Sequence, residues 1–222
     1  MNDGDRGKRI FYRIAHAIVL TPFKAIFRVR VHGRERVPRT GAFIVAPSHR
    51  SLMDIFFTAY ITTRRIRFMA KQELFEKRFL AWLFTAGGGF PVERGTADRA
   101  ALRAAQQALE GGEPVAIFPE GTRGHGPEIG DLFDGAAYLA ARLGLPVVPV
   151  AIGGSEEILA SGKVLPRLRR VRIVVGEPIL PPVHEGRVRR HEVAQMTEQL
   201  RTELQKRFDD ALTLANVRSK AS

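Results

Sequence analysis

A chain of 222 residues, 45% of them hydrophobic, is long enough for one well-cored α/β domain, or for a domain with a small appendage. Without cysteine it has no disulfide, no thiol nucleophile and no thiolate metal site. Lysine and arginine number 35 against 23 acidic residues, a net +12 that points to an anionic partner: nucleic acid, a phospholipid surface or a phosphorylated metabolite.

At the amino terminus, Ile10 to Val31 interleaves Phe11, Ile14, Ile18, Phe23 and Phe27 with Arg13, Lys24 and Arg28. Its longest uncharged piece, Ile14 to Phe23, is 10 residues, where a membrane span needs about 20. No transmembrane helix is expected. Nor is a signal peptide, because no small-residue cleavage site follows and Arg28, Arg30, Arg34 and Arg36 crowd the downstream flank. Two readings stay open: an amphipathic helix lying in a membrane interface with its cations toward anionic head groups, or a helix packed on its own domain.

From there strands and helices alternate. Phe27 to His32 reads as a strand, Gly33 to Thr40 as a turn, Ala42 to Ala46 as a strand and Ser51 to Thr62 as a helix. Ile66 to Ala70 follows as a strand, Glu73 to Phe84 as a helix, and Phe90 to Glu93 as a short strand after three glycines. Thr96 caps a helix over Ala97 to Leu109 that stops at Gly111 and Gly112. Val115 to Phe118, Val147 to Ile152 and Arg172 to Val175 are strands, with a helix over Gly135 to Leu143 ended by Gly144. A long amphipathic helix from about Val188 to Leu214 closes the chain, with Val193, Met196, Leu200, Leu204, Phe208 and Leu212 on one side. This order predicts a single α/β domain: a largely parallel or mixed central sheet with helices on both faces, an N-terminal amphipathic segment and a long C-terminal helix. There is no internal repeat and no domain-sized linker. The predicted division is a membrane-associating helical segment over residues 1–28 and one catalytic domain over residues 29–222.

The stretch that carries most chemistry is Pro47 to Phe57, PSHRSLMDIFF, between a strand and a helix. His49 and Asp54 are five apart, which on a continuous helix leaves them about 140° apart. His49 is therefore expected in the loop and Asp54 in the first helical turn, where a carboxylate can reach one ring nitrogen and leave the other free to take a proton. Ser51 and Asp54 also read as a capping box that starts the helix.

Three further stretches can bind substrate. Phe118 to Arg123, FPEGTR, follows a strand directly, so Glu120, Thr122 and Arg123 project from a strand end toward His49. Gly121 permits a tight turn, Thr122 offers a hydroxyl and Arg123 a planar fork for a phosphate; a plain surface turn is the other reading. Arg94, in Gly87 to Gly95, and Lys71, ending the third strand, are candidate phosphate-binding cations, each by default a solvated side chain. The glycine run is neither a dinucleotide fingerprint nor a Walker loop. A metal site is not expected, since the six histidines form no HExxH or comparable pair. The dispersed arginines and the lack of a recognition motif argue against nucleic acid, and no GxSxG elbow marks a serine hydrolase.

Taken together, these stretches resemble the glycerolipid acyltransferases of the 1-acylglycerol-3-phosphate acyltransferase, or PlsC-like, type. The HxxxxD block is similar to His49 through Asp54, a second block ending in arginine to Gly89 through Arg94, a third to Phe118 through Arg123, and a fourth, centred on proline, to Val148-Pro149-Val150. Lys71-Gln72-Glu73-Leu74 is similar to a family segment between the first two. The resemblance covers roughly Val29 to Ile179, and four blocks in order are far more specific than any one. There are departures: Ser48 for the usual Asn, Glu93 for the common Asp, and Asp134 where a lysine often precedes the next helix. The last reverses a charge beside the acceptor region, so it bears on acceptor identity and not on reaction type.

The resemblance implies fatty acyl transfer from acyl-CoA or acyl-carrier protein to lysophosphatidic acid, giving phosphatidic acid, without cofactor, metal or nucleic acid; the alternatives are another acceptor, glycerol 3-phosphate or another lysolipid, or a non-catalytic basic module that binds lipid or nucleic acid. His49 and Asp54 would be catalytic, and Lys71, Arg94, Glu120, Gly121, Thr122 and Arg123 would bind substrate. Imidazole, largely neutral at physiological pH, removes the proton of the acceptor hydroxyl as it attacks the thioester, so no acyl-enzyme is needed. Glu120 is expected to bind an acceptor hydroxyl or to brace Arg123, and the amides at the helix start after His49 are candidate oxyanion donors. A peripheral position on anionic phospholipid, at the cytoplasmic face of the cell membrane, completes the expectation. Ile10 to Phe27 and the apolar Leu74 to Phe84 are its candidate anchors.

Overall fold

In the run from Phe43 to Ala46, alternate side chains enter opposite cores. Phe43 and Val45 join one apolar cluster, Ile44 and Ala46 the other, and all four are fully buried. A strand buried on both faces reads as a continuous apolar run, which is how this one reads in sequence. The computed structural model describes residues 20–71, 75, 76, 78, 81, 88–92, 97–158, 167–182 and 188–216. Within them the strands are β1 (Arg30–His32), β2 (Ile44–Pro47), β3 (Arg67–Lys71), β4 (Gly89–Val92), β5 (Val115–Ala116), β6 (Val147–Gly153) and β7 (Arg172–Val175). The α-helices between and after them are α1 (Asp54–Thr58), α2 (Ala97–Glu110), α3 (Gly135–Leu143) and α4 (Arg190–Ala215); residues 20–26 are also helical.

One seven-stranded sheet runs in the order β1-β7-β6-β2-β5-β3-β4. Every neighbouring pair is parallel except β6 with β7, so the sheet is mixed, as predicted. The register pairs Pro47 with Val150, Gly153 with Arg172, and Arg172 with Arg30. The ends of β2 and β6 and the starts of β7 and β1 therefore lie at one end of the sheet, the end at which the chain passes into His49.

On one face α1 and the helical residues 20–26 cover the sheet, with Phe57, Ile61, Leu20 and Phe27 in the cluster. The other face is covered by α2, α3 and the first half of α4, through Ala105, Leu139, Val193, Met196 and Leu200. The second half of α4 lays Leu204, Phe208 and Ala211 on Ala151 and Val174.

At two places the structure departs from the predicted elements. Phe27 to His32 is not all strand: the chain stays helical to residue 26, turns at Arg28 with φ 46°, and enters β1 only at Arg30. The reason is that Leu20, Phe23 and Phe27 follow helical spacing and pack inward, Phe27 edge-on to Phe57 at 5.7 Å. Residues 20–27 thus pack one side, through Leu20 and Phe27, on the domain, while Ile26 stays exposed. The buried stripe of α4 passes through Ala211 and Ala215 rather than Leu212, because a run of +4 steps drifts off a 3.6-residue repeat and a +3 step restores it. Most of the helix predicted over Glu73 to Phe84 lies outside the described residues, as do residues 1–19. Among the described residues no helix is long and apolar enough to cross a membrane.

Candidate active site

β2 delivers Ser48 and His49 past the sheet edge. The Ser48 amide donates to Val150 O at 2.9 Å, and its buried hydroxyl accepts from the Ile152 amide at 2.9 Å, so the β2–β6 ladder continues one residue beyond the strand. Here the departure from asparagine serves a structural purpose. The chain then folds back over the buried Asp54, whose Oδ2 accepts the amides of Arg50 and Ser51, each at 2.6 Å. The anticipated capping box is half present. The carboxylate reaches back to the Ser51 amide, while the Ser51 hydroxyl takes the Met53 amide at 3.3 Å and not that of Asp54.

As the spacing predicted, His49 lies in the loop and Asp54 opens the helix. His49 Nδ1 stands 3.4 Å from Asp54 Oδ2, with the imidazole 14% exposed and the carboxylate fully buried. That contact is longer than a well-formed hydrogen bond, and neither Nδ1 nor Asp54 Oδ1 has another partner. Free enzymes often hold such pairs open and tighten them around substrate. The ring packs against Phe118, centroids 4.3 Å apart. Beneath it Ile55, Thr58, Ala59, Ile66, Phe68 and Ala116 join Phe118 in lining a narrow cleft.

The FPEGTR loop divides into a buried half and an exposed half. Glu120 is buried, and both its oxygens are taken: Oε1 accepts the His49 amide at 2.9 Å and Oε2 the Arg50 guanidinium at 2.6 Å. Its partners are therefore neither Arg123 nor an open acceptor site, the two possibilities read from sequence. Gly121 sits at φ 67°, where any Cβ would meet the Phe133 ring at 2.6 Å, so this turn requires glycine. Thr122 and Arg123 are exposed beside it. Lys71 ends β3 at the same end of the sheet. Its side chain, and Arg94, lie outside the described residues. Of the amides anticipated as oxyanion donors, those of Arg50 and Ser51 are held by Asp54.

Arg50 is the residue that the sequence reading missed. Only 4% exposed, it donates to Glu120, to His49 O at 3.2 Å and to Glu128 O at 2.6 Å, with its guanidinium 4.8 Å above the Phe208 ring of α4. Gly124, which donates to His49 O at 2.9 Å, is what leaves room: a Cβ there would lie 1.9 Å from Arg50 Nη1. One cation thus joins the histidine loop, the glutamate loop and the last helix. The available signal was a charge lodged between a buried strand and an apolar helix, with acidic residues elsewhere to balance it. Asp134 takes a hydrogen bond from Thr197 of α4 at 2.7 Å.

An imidazole at a strand end, backed by a buried carboxylate, with an exposed hydroxyl and guanidinium on the neighbouring loop and, among the described residues, no serine hydroxyl bonded to it, suits one class of enzyme. That class deprotonates a hydroxyl of its substrate for direct attack on an acyl carbon. The sequence profile described as Acyltransferase matches residues 28–153, more than half of the chain. The 1-acyl-sn-glycerol-3-phosphate acyltransferase of Bacillus subtilis (strain 168) is 30% identical over 173 residues, 78% of this chain and 84% of that protein. The chloroplastic enzyme of the same name from Arabidopsis thaliana is 26% identical over 167 residues, covering 73% of this chain and 46% of the plant protein. The crystal structure of the 1-acyl-sn-glycerophosphate (LPA) acyltransferase PlsC from Thermotoga maritima aligns with a TM-score of 0.76 at 25% identity, over all of this chain and 86% of that one. The chain belongs to the acyltransferase family, among its PlsC-like members.

Proposed function

We propose that this protein transfers a fatty acyl group from acyl-CoA or an acyl-carrier protein to the free hydroxyl of lysophosphatidic acid, giving phosphatidic acid, and that it works peripherally at the cytoplasmic face of a membrane. The observation that carries this reading is the His49 imidazole at the end of β2, its Nδ1 toward buried Asp54 and its other nitrogen without a partner among the described residues. Relatives named for this activity support the choice of acceptor.

In the reaction, His49 Nε2 takes the proton of the acceptor hydroxyl while that oxygen attacks the thioester carbonyl. Asp54 orients the ring and balances the imidazolium that forms. The tetrahedral intermediate collapses with loss of the thiolate, which recovers the proton from the imidazolium as free thiol. No step needs a metal, a redox cofactor or a covalent acyl-enzyme. Arg123, with Thr122 and the turn at Gly121 and with Lys71 and Arg94 in support, holds the acceptor phosphate. Binding energy remote from the reacting atoms then fixes the hydroxyl against His49. Glu120 serves through Arg50 and the His49 amide as a positioning residue, without touching the acceptor.

Acceptors offered in parallel (lysophosphatidic acid, glycerol 3-phosphate and neutral or zwitterionic lysolipids) with acyl-CoA and acyl-carrier-protein donors, read by lipid mass spectrometry, test this. The expected result is phosphatidic acid formed in preference to the other products. Thioester left unconsumed with every acceptor, or a faster reaction with a lipid that lacks the phosphomonoester, would overturn it.

A further inference from the structure

Exposed apolar side chains are not scattered evenly over this molecule. Among the described residues six large ones stand in solvent: Ile26, Leu52, Phe133, Leu168, Leu180 and Leu214. Leu52 follows the histidine loop and Phe133 packs on Gly121 of the FPEGTR loop. Leu214 is next to Ala215, which abuts Gly154 just past β6. Ile26 and Leu168 meet at the starts of β1 and β7, where the Val171 amide bonds Phe27 O. By the sheet register these five lie at the His49 end. Leu180 follows Ile179, which pairs with Val147 at the start of β6, and so marks the opposite end.

The cluster around Ile26 and Leu168 is also cationic. A cleft of about 370 Å³ is lined there by Ile26, Arg28, Leu168, Arg169, Arg170 and Asn216, with Ala215 at its wall. Arg167 and Arg30 are exposed beside it. Only Arg169 of these cations has an acidic partner among the described residues, Glu157 at 2.6 Å. Burial, and then repulsion from Arg30 and Arg170, holds the Arg172 guanidinium below its ordinary value, as expected where positive charge is left unbalanced. Unpaired arginines are costly to gather unless an anion covers them, and a Leu 75% exposed at their centre is costly in water. A bilayer surface satisfies both at once, because head-group phosphates meet the guanidiniums while the apolar tips enter the acyl boundary. A nucleic acid would satisfy the arginines alone.

We infer that the patch formed by Ile26, Leu168, Arg28 and Arg170 is a docking surface for anionic phospholipid bilayer, and that it turns the His49 end of the sheet toward the membrane. The inference rests on the proposed membrane-lipid reaction, but its test is read without turnover. Purified full-length protein is co-sedimented with phosphatidylcholine vesicles, with and without phosphatidylglycerol, at low and high salt. Wild type should bind the anionic vesicles and release with salt. Leu168→Glu and Ile26→Glu should each weaken partitioning about tenfold, and together more, since each removes an inserted side chain and adds a like charge to the lipid. Arg28→Gln with Arg170→Gln should weaken binding to anionic vesicles and flatten its salt dependence. Leu180→Glu, an equally drastic change at the far end, should leave binding unchanged. Circular dichroism checks that each variant is folded; Leu168 and Leu180 are so exposed, at 75% and 72%, that neither change threatens the fold.

The inference is overturned if wild type does not bind vesicles, if Leu168→Glu binds as wild type does, or if Leu180→Glu is as damaging. Capture of duplex DNA that depends on Arg28 and Arg170 but not on Leu168, in place of vesicle binding, overturns it in favour of a nucleic-acid face. Patch-dependent vesicle binding by a protein that acylates nothing sustains this inference and overturns the proposed function. Acyl transfer in detergent by a protein whose vesicle binding ignores the patch does the reverse.

Discussion

Asp54 holds the histidine loop with the same oxygen that faces His49, and substitution can separate these tasks. Asp54→Ala removes two hydrogen bonds of 2.6 Å and strands the buried amides of Arg50 and Ser51. Hydrogen bonds to a charged group contribute about 1.5–3 kcal/mol each, so the loss should be on the order of 3–6 kcal/mol. That is a large share of a stability of roughly 5–15 kcal/mol. Asp54→Asn differs in kind. Its amide oxygen can occupy the Oδ2 position and accept both amides, while its nitrogen falls at Oδ1, which has no partner among the described residues. Only the charge assistance is lost, so the cost should be about 1–3 kcal/mol. Turnover should fall in both, about 100-fold or more, because a neutral amide cannot balance an imidazolium. Urea unfolding compared through the midpoint at constant slope, with steady-state turnover of each folded variant, provides the assay. Equal destabilisation by Asn and Ala would refute the hydrogen-bonding account, and an Asn variant with more than about a tenth of wild-type turnover would refute the electrostatic one.

His49→Ala should lower turnover about 10²-fold to 10⁴-fold with unfolding unchanged; a folded variant retaining over a tenth of the activity would sink the general-base mechanism. Gly124→Ala puts a methyl group 1.9 Å from Arg50 Nη1 and 2.9 Å from Glu120 Oε2, so it should break the buried pair at a cost of about 3–5 kcal/mol. In an Arg50→Met, Glu120→Gln background the same change should cost under about 1 kcal/mol, and equal costs in both backgrounds would show that the pair is not what it disturbs. Arg123→Lys keeps the charge and loses the fork, so the Michaelis constant for a phosphorylated acceptor should rise with little effect on that for the donor; steady-state kinetics with each substrate varied in turn decides it.

How much of this was legible from the chain depended on range. α3 and β7 agree residue for residue with the sequence reading, because an apolar run between Gly135 and Gly144, or a β-branched run that stops at Gly176, is fixed by its neighbours. The placement of His49 in the loop and Asp54 in the first turn was legible for the same reason, the two lying five residues apart in sequence. The partnership of Arg50 with Glu120 was not: the two are 70 residues apart, and nothing local to either says that the charges meet. The hold of Asp54 on the Ser51 amide was legible in the capping box, while its hold on the Arg50 amide was not, since a free helix start and one folded over its own carboxylate read alike. At β1 the failure was one of period, a helical stripe through Phe27 running directly into a strand.

The stacking of Phe208 on Arg50 makes the order of synthesis matter. A nascent chain emerges with the histidine loop first, the glutamate loop later and α4 last, while β1 waits at the edge for β7, its one neighbour in the sheet. Contacts this distant in sequence close slowly and late. Until they do, the chain carries its arginines and apolar loop tips with no finished catalytic end behind them. A message cut short before Arg190 would still encode every motif residue described here, and would lack α4, whose Phe208 ring lies against Arg50.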